Sequence, residues 1–340
     1  MKYSKLTPKQ FNSLLKQSSS TINASKLYVC TRNANVTVQS INDVVSVLKS
    51  VKTYMKFKIF DGVIDFLLQN DKERCESAEE NKKLREQIQK LQEQIQDLKF
   101  QKNRKFLTKI TELKISNDFD SVYKLFGKIS AEDNQEMMSK ACEEGLWKKT
   151  TENRKNVLHV ACEKGNLQLV KLLIECGCNK ETIDEYGNTP LIYASWNNQL
   201  EVVKYLISAG ANKEAKNNDG KTPLIYASLY DYLNIVKYLV SDGANKDVKN
   251  NDGKTPIIYA SLYGYLDVVK YLISDGANKE TKNNEGNTPL IYASWNNHLE
   301  VVKYLISVGV NKAAKDNEGK TALSHAKGKV RDYLKSIGAK

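Results

Sequence analysis

The chain repeats itself every 33 residues over more than half of its 340 positions. A glycine at the same place in each unit marks the period, at Gly187, Gly220, Gly253, Gly286 and Gly319. Residues 189–213 are identical to residues 288–312 at 22 of 25 positions. Because a fixed period of this length is typical of stacked structural repeats, it argues against an ordinary single-core domain for this part of the chain.

Each unit is predicted to contain two short helices and a turn. Thr189 can cap the first helix with its hydroxyl, and Pro190 suits the first helical position, where an N–H has no partner. Apolar residues fall on one face of the second helix, at Leu200, Val203, Leu206 and Ile207. Gly210 is placed to end that helix, and Asp219–Gly220 is a tight-turn pair that reverses the chain.

The period, the Thr-Pro-Leu phrase and the helix pair resemble the ankyrin repeat. This resemblance implies an all-α fold, an ankyrin-repeat solenoid, in the units 151–183, 184–216, 217–249, 250–282, 283–315 and 316–340. The family's Thr-Pro-Leu-His signature is complete nowhere: His159 keeps the histidine, and isoleucine replaces it in later units. The near-identical units with Asn-Lys-Glu turns resemble the expanded ankyrin families of some parasitic protists.

The region before the array of residues 151–340 is predicted in three parts. Residues 117–150 form an amphipathic helical N-terminal cap, which covers the exposed end of the first unit. Residues 71–116 are polar, with a short heptad seam at Leu84, Ile88, Leu91, Ile95 and Leu98. The seam spans about two heptads, fewer than the three or four that predict a stable coiled coil. A long lone helix and a short dimerising coil both remain open, with a possible homodimer through residues 41–100.

Residues 1–70 are predicted to be a small, mainly helical region. Their most apolar part, residues 41–68, indicates two packed helices. The order of a strand end at Thr37–Val38 and two helices resembles the C-terminal half of a BTB/POZ domain. That resemblance implies an alternative function for the whole chain, as a substrate adaptor of a ubiquitin ligase.

The net charge of +12 is concentrated at the start of the chain. The first fifty residues hold seven basic residues and one acidic residue, whereas lysine alternates with Asp and Glu in the array. This pattern indicates a solvated surface on the array and argues against nucleic acid as a partner. The basic segment 2–32 leaves open a third reading, a surface for acidic nucleic acid or lipid, tested by the salt dependence of binding.

The sequence also indicates the cellular location of the protein and the redox state of its cysteines. No apolar run approaches the roughly 18 residues of a membrane helix, so we expect a cytoplasmic or nuclear protein without membrane contact. Six cysteines are scattered rather than clustered, which favours free thiols, at Cys30, Cys75, Cys142, Cys162, Cys176 and Cys178.

No sequence pattern typical of an enzyme is present, whether a phosphate-binding glycine loop, HExxH or GxSxG. His159, His298 and His325 occupy different repeat positions, and Cys176-x-Cys178 has no second cysteine pair to complete a zinc site. We therefore expect no catalytic residues, no cofactor and no bound metal.

The ankyrin resemblance implies that a protein partner binds on the concave face, lined by the turn tips and the exposed side of the first helices. The predicted partner-binding residues are Tyr186, Asn188, Trp196, Asn197, Lys221, Leu229, Tyr230, Lys254, Leu262, Tyr263, Trp295 and Asn296. Aromatic side chains recur on this face, and such side chains dominate the energetics of protein interfaces. Packing between neighbouring units is the open alternative for the same rings. Two further tyrosine positions, beginning with Tyr193 and Tyr205, are predicted to pack between repeats.

Overall fold

The computed structural model describes residues 78–339, with side chains at Glu86 and from Gln89 onward. The BTB-like segment, residues 1–70 as a whole and the basic segment 2–32 lie outside the described residues. Within the described range all regular structure is helical, in fifteen α-helices and one 3-10 turn. The only strand-like pairing in that range consists of isolated bridges at Thr150–Asn156 and Lys315–Thr321. The predicted all-α fold class is thereby confirmed.

The first described helix, α1, is Ala78–Ile115, and the chain divides into two compact units near its end, at Glu112–Leu113. Ile95 of the heptad seam is buried and Leu98 is exposed. The long helix expected from the sequence is present. Its pairing with a second chain remains a prediction. No helix in the described part of the chain combines the length and the apolar character needed to cross a membrane.

Two helices and a 3-10 turn precede the array. Helix α2 is Phe119–Ala131 and helix α3 is Gln135–Glu143, followed by the turn Leu146–Lys148. Side chains of Asp118 and Asn134 cap the two helices by accepting from the backbone N–H groups of Ser121 and Met137. Both helices pack on the second helix of the first array unit, which they cover.

Each predicted unit of the array contains one helix pair. The pairs are α4 Val157–Glu163 with α5 Leu167–Glu175, α6 Pro190–Trp196 with α7 Leu200–Ser208, α8 Pro223–Leu229 with α9 Leu233–Ser241, α10 Pro256–Tyr263 with α11 Leu266–Ser274, α12 Pro289–Trp295 with α13 Leu299–Ser307, and α14 Ala322–His325 with α15 Gly328–Ser336. First helices pack on first helices and second helices on second helices. The core is thus a continuous layer along the stack rather than one central volume.

The helix ends follow from the sequence. The hydroxyls of Thr189, Thr222 and Thr288 accept from the N–H three residues on, at 3.2–3.3 Å. Proline occupies the first helical position after each of them. Gly210 has φ +78° after α7, the left-handed conformation that ends a helix and favours glycine. The predicted caps and stops are confirmed.

The turn tips of successive units are joined by a ladder of hydrogen bonds. The backbone N–H of Asn251 donates to the Asp219 carbonyl at 3.0 Å, and its side-chain amide donates to the Asn218 carbonyl at 2.8 Å. The same side-chain bond recurs from Asn218 to Glu185, Asn284 to Asn251 and Asn317 to Asn284. The tips therefore form a rigid edge whose side chains keep a fixed spacing.

Candidate protein-binding face

In four successive units, a polar pair fastens the turn tip to the first helix of the same unit. The side-chain amide of Asn217 donates to the phenol oxygen of Tyr226 at 2.9 Å, and Asn250 and Asn283 repeat the contact with Tyr259 and Tyr292. In the unit before, the hydroxyl of Tyr193 donates to a carboxylate oxygen of Asp184 at 2.6 Å. These tyrosines are buried, as the sequence predicts, and they form the floor of the candidate site.

Trp196 lies between two units. Its ring stacks on Tyr193 of its own unit, with centroids 6.0 Å apart, and on Tyr226 of the next unit, at 5.0 Å. The rings are within 14° and 23° of parallel. Trp196 is consequently half-buried, and the alternative of packing between repeats describes this residue.

The residues equivalent to Trp196 in later units also pack between units, but they are buried to different degrees. Leu229 and Leu262 pack against the buried cluster that contains Tyr259. Trp295 stacks on His325 of the last unit, with centroids 4.8 Å apart, yet remains 49% exposed. Trp196 stacks on three rings, those of Tyr193, Tyr226 and Tyr230, whereas the stacking contact of Trp295 is with His325.

The neighbouring position carries the exposed rings. Tyr230 is 40% exposed and Tyr263 is 49% exposed. Tyr230 stacks on Tyr232 with centroids 6.1 Å apart, and Tyr263 stacks on Tyr265 at 6.0 Å. The supporting tyrosines at 232 and 265 are absent from the sequence-based set, although the Tyr-x-Tyr spacing in two successive units is a signal for them. Tyr186, Trp196, Tyr230, Tyr263 and Trp295 together are called the aromatic face below.

A groove of about 550 Å³ lies at the N-terminal end of the aromatic face. Its walls include rings of Tyr186, Trp196 and Tyr230 and the carboxylates of Glu163 and Asp219. Side-chain amides of Asn153, Asn197 and Asn218 also line it, together with Lys155 and Lys221. Aromatic rings with polar groups around them are a composition enriched at protein–protein interfaces.

Lysine side chains lie beside the aromatic face and form ion pairs with carboxylates of the turn tips. Lys221 contacts Asp219 at 3.0 Å, and Lys254 contacts Asp252 at 3.5 Å. Lys155 lies 4.6 Å from the ring centroid of Tyr193 and contacts Glu163 at 3.2 Å. Lys155 is missing from the sequence-based set, although it precedes Lys221 by two full periods and could have been found by register.

Asn188 corrects the prediction of an exposed tip residue. Its side chain is 2% exposed, because its amide donates to Asp184 at 3.2 Å and its carbonyl oxygen accepts from Asn217 at 3.0 Å. Asn188 is therefore part of the framework and not of the surface. Asn197 and Asn296 remain at the edge, but their amides donate to the helix carbonyls of Tyr193 and Tyr292 at 2.9 and 3.0 Å, which closes the ends of α6 and α12.

Burial shifts the acidity of the tyrosines beneath the face. It raises the pKa of Tyr226 to about 12, with the nearby Asp219 carboxylate as a second cause. Burial also raises the pKa of Asp231, helped by the charge of Asp267. The phenol of Tyr226 is consequently neutral at physiological pH and acts as a hydrogen-bonding and apolar group.

The three histidines do not come together in the structure. His159, His298 and His325 lie in three different units, where their ring nitrogens bond to backbone carbonyls or to Asp316. In the part of the chain that the structure describes, no group of His, Cys, Asp and Glu side chains could hold a metal ion. What the face offers is a fixed surface of rings, amides and paired charges.

Comparison with known families identifies the repeat. A family model described as ankyrin repeats (3 copies) matches residues 116–217 and 209–283, and one described as ankyrin repeats (many copies) matches residues 274–326. The matches run without a gap from residue 116 to residue 326, well over half of the 340 residues. They include residues 117–150, the segment that the sequence predicts as a cap.

Proposed function

Because this chain belongs to the ankyrin-repeat family, we propose that it is a non-catalytic scaffold that binds a protein partner on its aromatic face. Ankyrin repeats indicate a role in protein–protein interaction, and the finer proposal concerns which surface is used. The aromatic face corresponds to the concave side in this proposal. The predicted division into residues 1–70, 71–116, 117–150 and 151–340 is part of it, with the array as the binding region.

One observation carries the proposal. Among residues 151–339, the well-exposed large aromatic side chains all lie at a turn tip or at the end of a first helix, at Tyr186, Tyr230, Tyr263 and Trp295. Exposed aromatic side chains cost free energy in water, and their concentration on one face is a common mark of an interaction surface. Their spacing is fixed by the stacking contacts with neighbouring rings and by the ladder between tips.

We expect Tyr230 and Tyr263 to contribute most of the binding free energy with the partner. Tyr230 stacks on Trp196 and Tyr232, and Tyr263 stacks on Tyr265, so little side-chain entropy is lost on binding. Truncating a central interface tyrosine typically costs about 2 kcal/mol, which corresponds to a roughly 30-fold weaker Kd. Trp196 contributes chiefly to the fold, because it already contacts rings on both sides.

The experiment compares three forms of the full chain in affinity purification with mass spectrometry. The test variant is Tyr230→Ser with Tyr263→Ser, and the matched control is Lys270→Ser with Lys303→Ser, on exposed positions of the second helices. Partners that bind the aromatic face are lost from the test variant and kept by the control. Their purified complexes should then show at least a 30-fold weaker Kd for the double tyrosine variant.

Circular dichroism and urea unfolding of the same samples establish that the variants fold. Undiminished capture of every partner by a folded tyrosine variant contradicts the proposal. The ubiquitin-ligase adaptor alternative depends on residues 1–70, and binding of a cullin-type protein to the full chain, absent from a chain lacking those residues, would favour it.

A further inference from the structure

Cys142 meets two cysteines that are distant from it in the sequence, Cys176 and Cys178, where helix α3 packs on helix α5. The Sγ atoms of Cys142 and Cys178 are 3.7 Å apart, across 36 residues of chain. Cys176 adjoins the same group, since its thiol interacts with that of Cys142. All three are free thiols.

The backbone explains how the thiols converge. Cys142 lies in the last turn of α3, and Cys176 is the residue at which α5 ends. Gly177 then takes φ +80°, and the N–H of Cys178 donates to the Leu173 carbonyl at 3.0 Å. This turn folds Cys178 back beneath α5, where it faces Cys142.

Packing alone does not require a sulfur atom at position 178. The positions equivalent to Cys178 in the next units are filled by small apolar residues that are equally buried, at Ala211, Ala244, Ala277 and Val310. Cys162 shows what a cysteine used only for packing looks like here, because burial alone accounts for the raised pKa of its thiol. The thiols at 142, 176 and 178 differ from it in having sulfur neighbours.

We propose that Cys142, Cys176 and Cys178 form an oxidation site at which hydrogen peroxide produces a disulfide between Cys142 and Cys178. Cys176 is the partly exposed thiol and meets the oxidant first, whereas the other two are buried. The cross-link would join α3 to the end of α5. The first array unit would then be tied covalently to the helices that cover it.

The reaction balances with hydrogen peroxide as the oxidant. The Cys176 sulfur attacks one peroxide oxygen, an S–O bond forms as the O–O bond breaks, and water leaves with the thiol proton. The Cys142 sulfur then displaces hydroxide from the sulfenic acid, so an S–S bond forms and a second water leaves. Cys178 attacks the Cys142 sulfur, the first disulfide breaks, and the proton of Cys178 passes to Cys176.

The acidity of the thiols determines the speed of this reaction. Burial and the neighbouring Cys142 raise the pKa of Cys176 to about 11, and the contact with Cys178 together with burial raises that of Cys142 as well. Since the thiolate is the reactive form, oxidation is slow at neutral pH and accelerates as the pH rises. The site therefore responds to sustained rather than brief exposure to peroxide.

The test counts thiols in the full chain after peroxide treatment at pH 7 and pH 9. Cys30→Ser and Cys75→Ser are introduced first, which leaves the four thiols at 142, 162, 176 and 178. Denatured protein should titrate two thiols fewer after oxidation, faster at pH 9, and peptide mapping should join residue 142 to residue 178 within one chain. Reduction with dithiothreitol should restore both thiols.

Single variants assign the roles. Cys162→Ser is the matched control and should still lose two thiols, while Cys176→Ser should form the same cross-link at least tenfold more slowly. Cys178→Ser should accumulate the bond between residues 142 and 176. The proposal is overturned if the starting protein keeps all its thiols at both pH values, if Cys142→Ser loses two thiols as readily, or if the cross-link joins different chains. An unchanged rate in Cys176→Ser overturns the role given to Cys176.

Discussion

The phenol oxygen of Tyr226 accepts a hydrogen bond from the side-chain amide of Asn217 at 2.9 Å, and this contact fastens a turn tip to the helix beneath it. The oxygen of the same Asn217 side chain accepts from the backbone N–H groups of Asp219 and Lys221 at 3.1 and 2.9 Å. One side chain thus shapes the tip and anchors it. In the four units that contain Tyr193, Tyr226, Tyr259 and Tyr292, the tip and the ring beneath it therefore depend on one buried polar pair.

Removing the phenol oxygen of a buried tyrosine should lower the free energy of unfolding by different amounts in neighbouring units. Tyr226→Phe deletes a bond between neutral groups, for which we expect a loss of about 1 kcal/mol in the free energy of unfolding. Tyr193→Phe deprives the buried Asp184 carboxylate of its 2.6 Å donor, so we expect a larger loss, about 2 kcal/mol. Urea unfolding followed by circular dichroism measures both. Tyr230→Phe, on an exposed ring, serves as the control, and equal losses for Tyr193→Phe and Tyr226→Phe would contradict the argument.

The tip glycines should tolerate alanine only where space allows. Gly253 has φ +76°, and a Cβ there would lie 2.8 Å from the backbone nitrogen of Asn284 and 2.4 Å from its Oδ1. Gly319 has φ +78° with no atom within 4 Å of its Cβ position. Gly319→Ala should therefore cost only the backbone strain, about 1 kcal/mol, and Gly253→Ala should cost at least twice as much because the ladder must shift. Differential scanning calorimetry compares the two, and similar unfolding temperatures would show that the tip contact is loose.

Alanine should stabilise the array at a buried serine position. Ser195, Ser228, Ser261 and Ser294 occupy the same place in four units, fully buried, and their hydroxyls have no hydrogen-bond partner among the described groups. An unsatisfied buried hydroxyl costs about 1–3 kcal/mol. Ser228→Ala removes that cost and leaves a space of one oxygen atom, so we expect a gain of about 1 kcal/mol by urea unfolding. A destabilised Ser228→Ala variant would mean that the hydroxyl is hydrogen-bonded in solution.

Local rules account for most of the fold, and they fail where units meet. Thr189, Pro190 and Gly210 predict where helices begin and end, because each acts on backbone groups close to it in the sequence. The burial of Asn188 and the stacking of Trp196 depend on residues one unit away, whose distance a period alone does not specify. The contact between Cys142 and Cys178 could not be predicted from the sequence. It depends on how α3, which lies outside the periodic region, packs on α5.

His159 should make the stability of the array depend on pH near neutrality. Its ring is fully buried, Nδ1 accepts from the Asn156 N–H at 3.1 Å, and Nε2 contacts the Thr182 carbonyl at 3.0 Å. These contacts require the neutral ring with its proton on Nε2. Burial accordingly lowers the pKa of His159 below the ordinary 6.5.

The unfolded chain therefore takes up a proton at His159 before the folded chain does as the pH falls below about 6.5. The stabilising contribution of His159 is complete above that pH and decreases at lower pH, by at most about 1.4 kcal/mol per pH unit. His159→Gln retains a polar group at this helix position without the titration, so its unfolding free energy should fall less between pH 7.5 and pH 5.5. His298 and His325 are present in both proteins, and their effects cancel in the difference. Urea unfolding at the two pH values measures it, and parallel pH profiles for both proteins would rule out a neutral, buried His159.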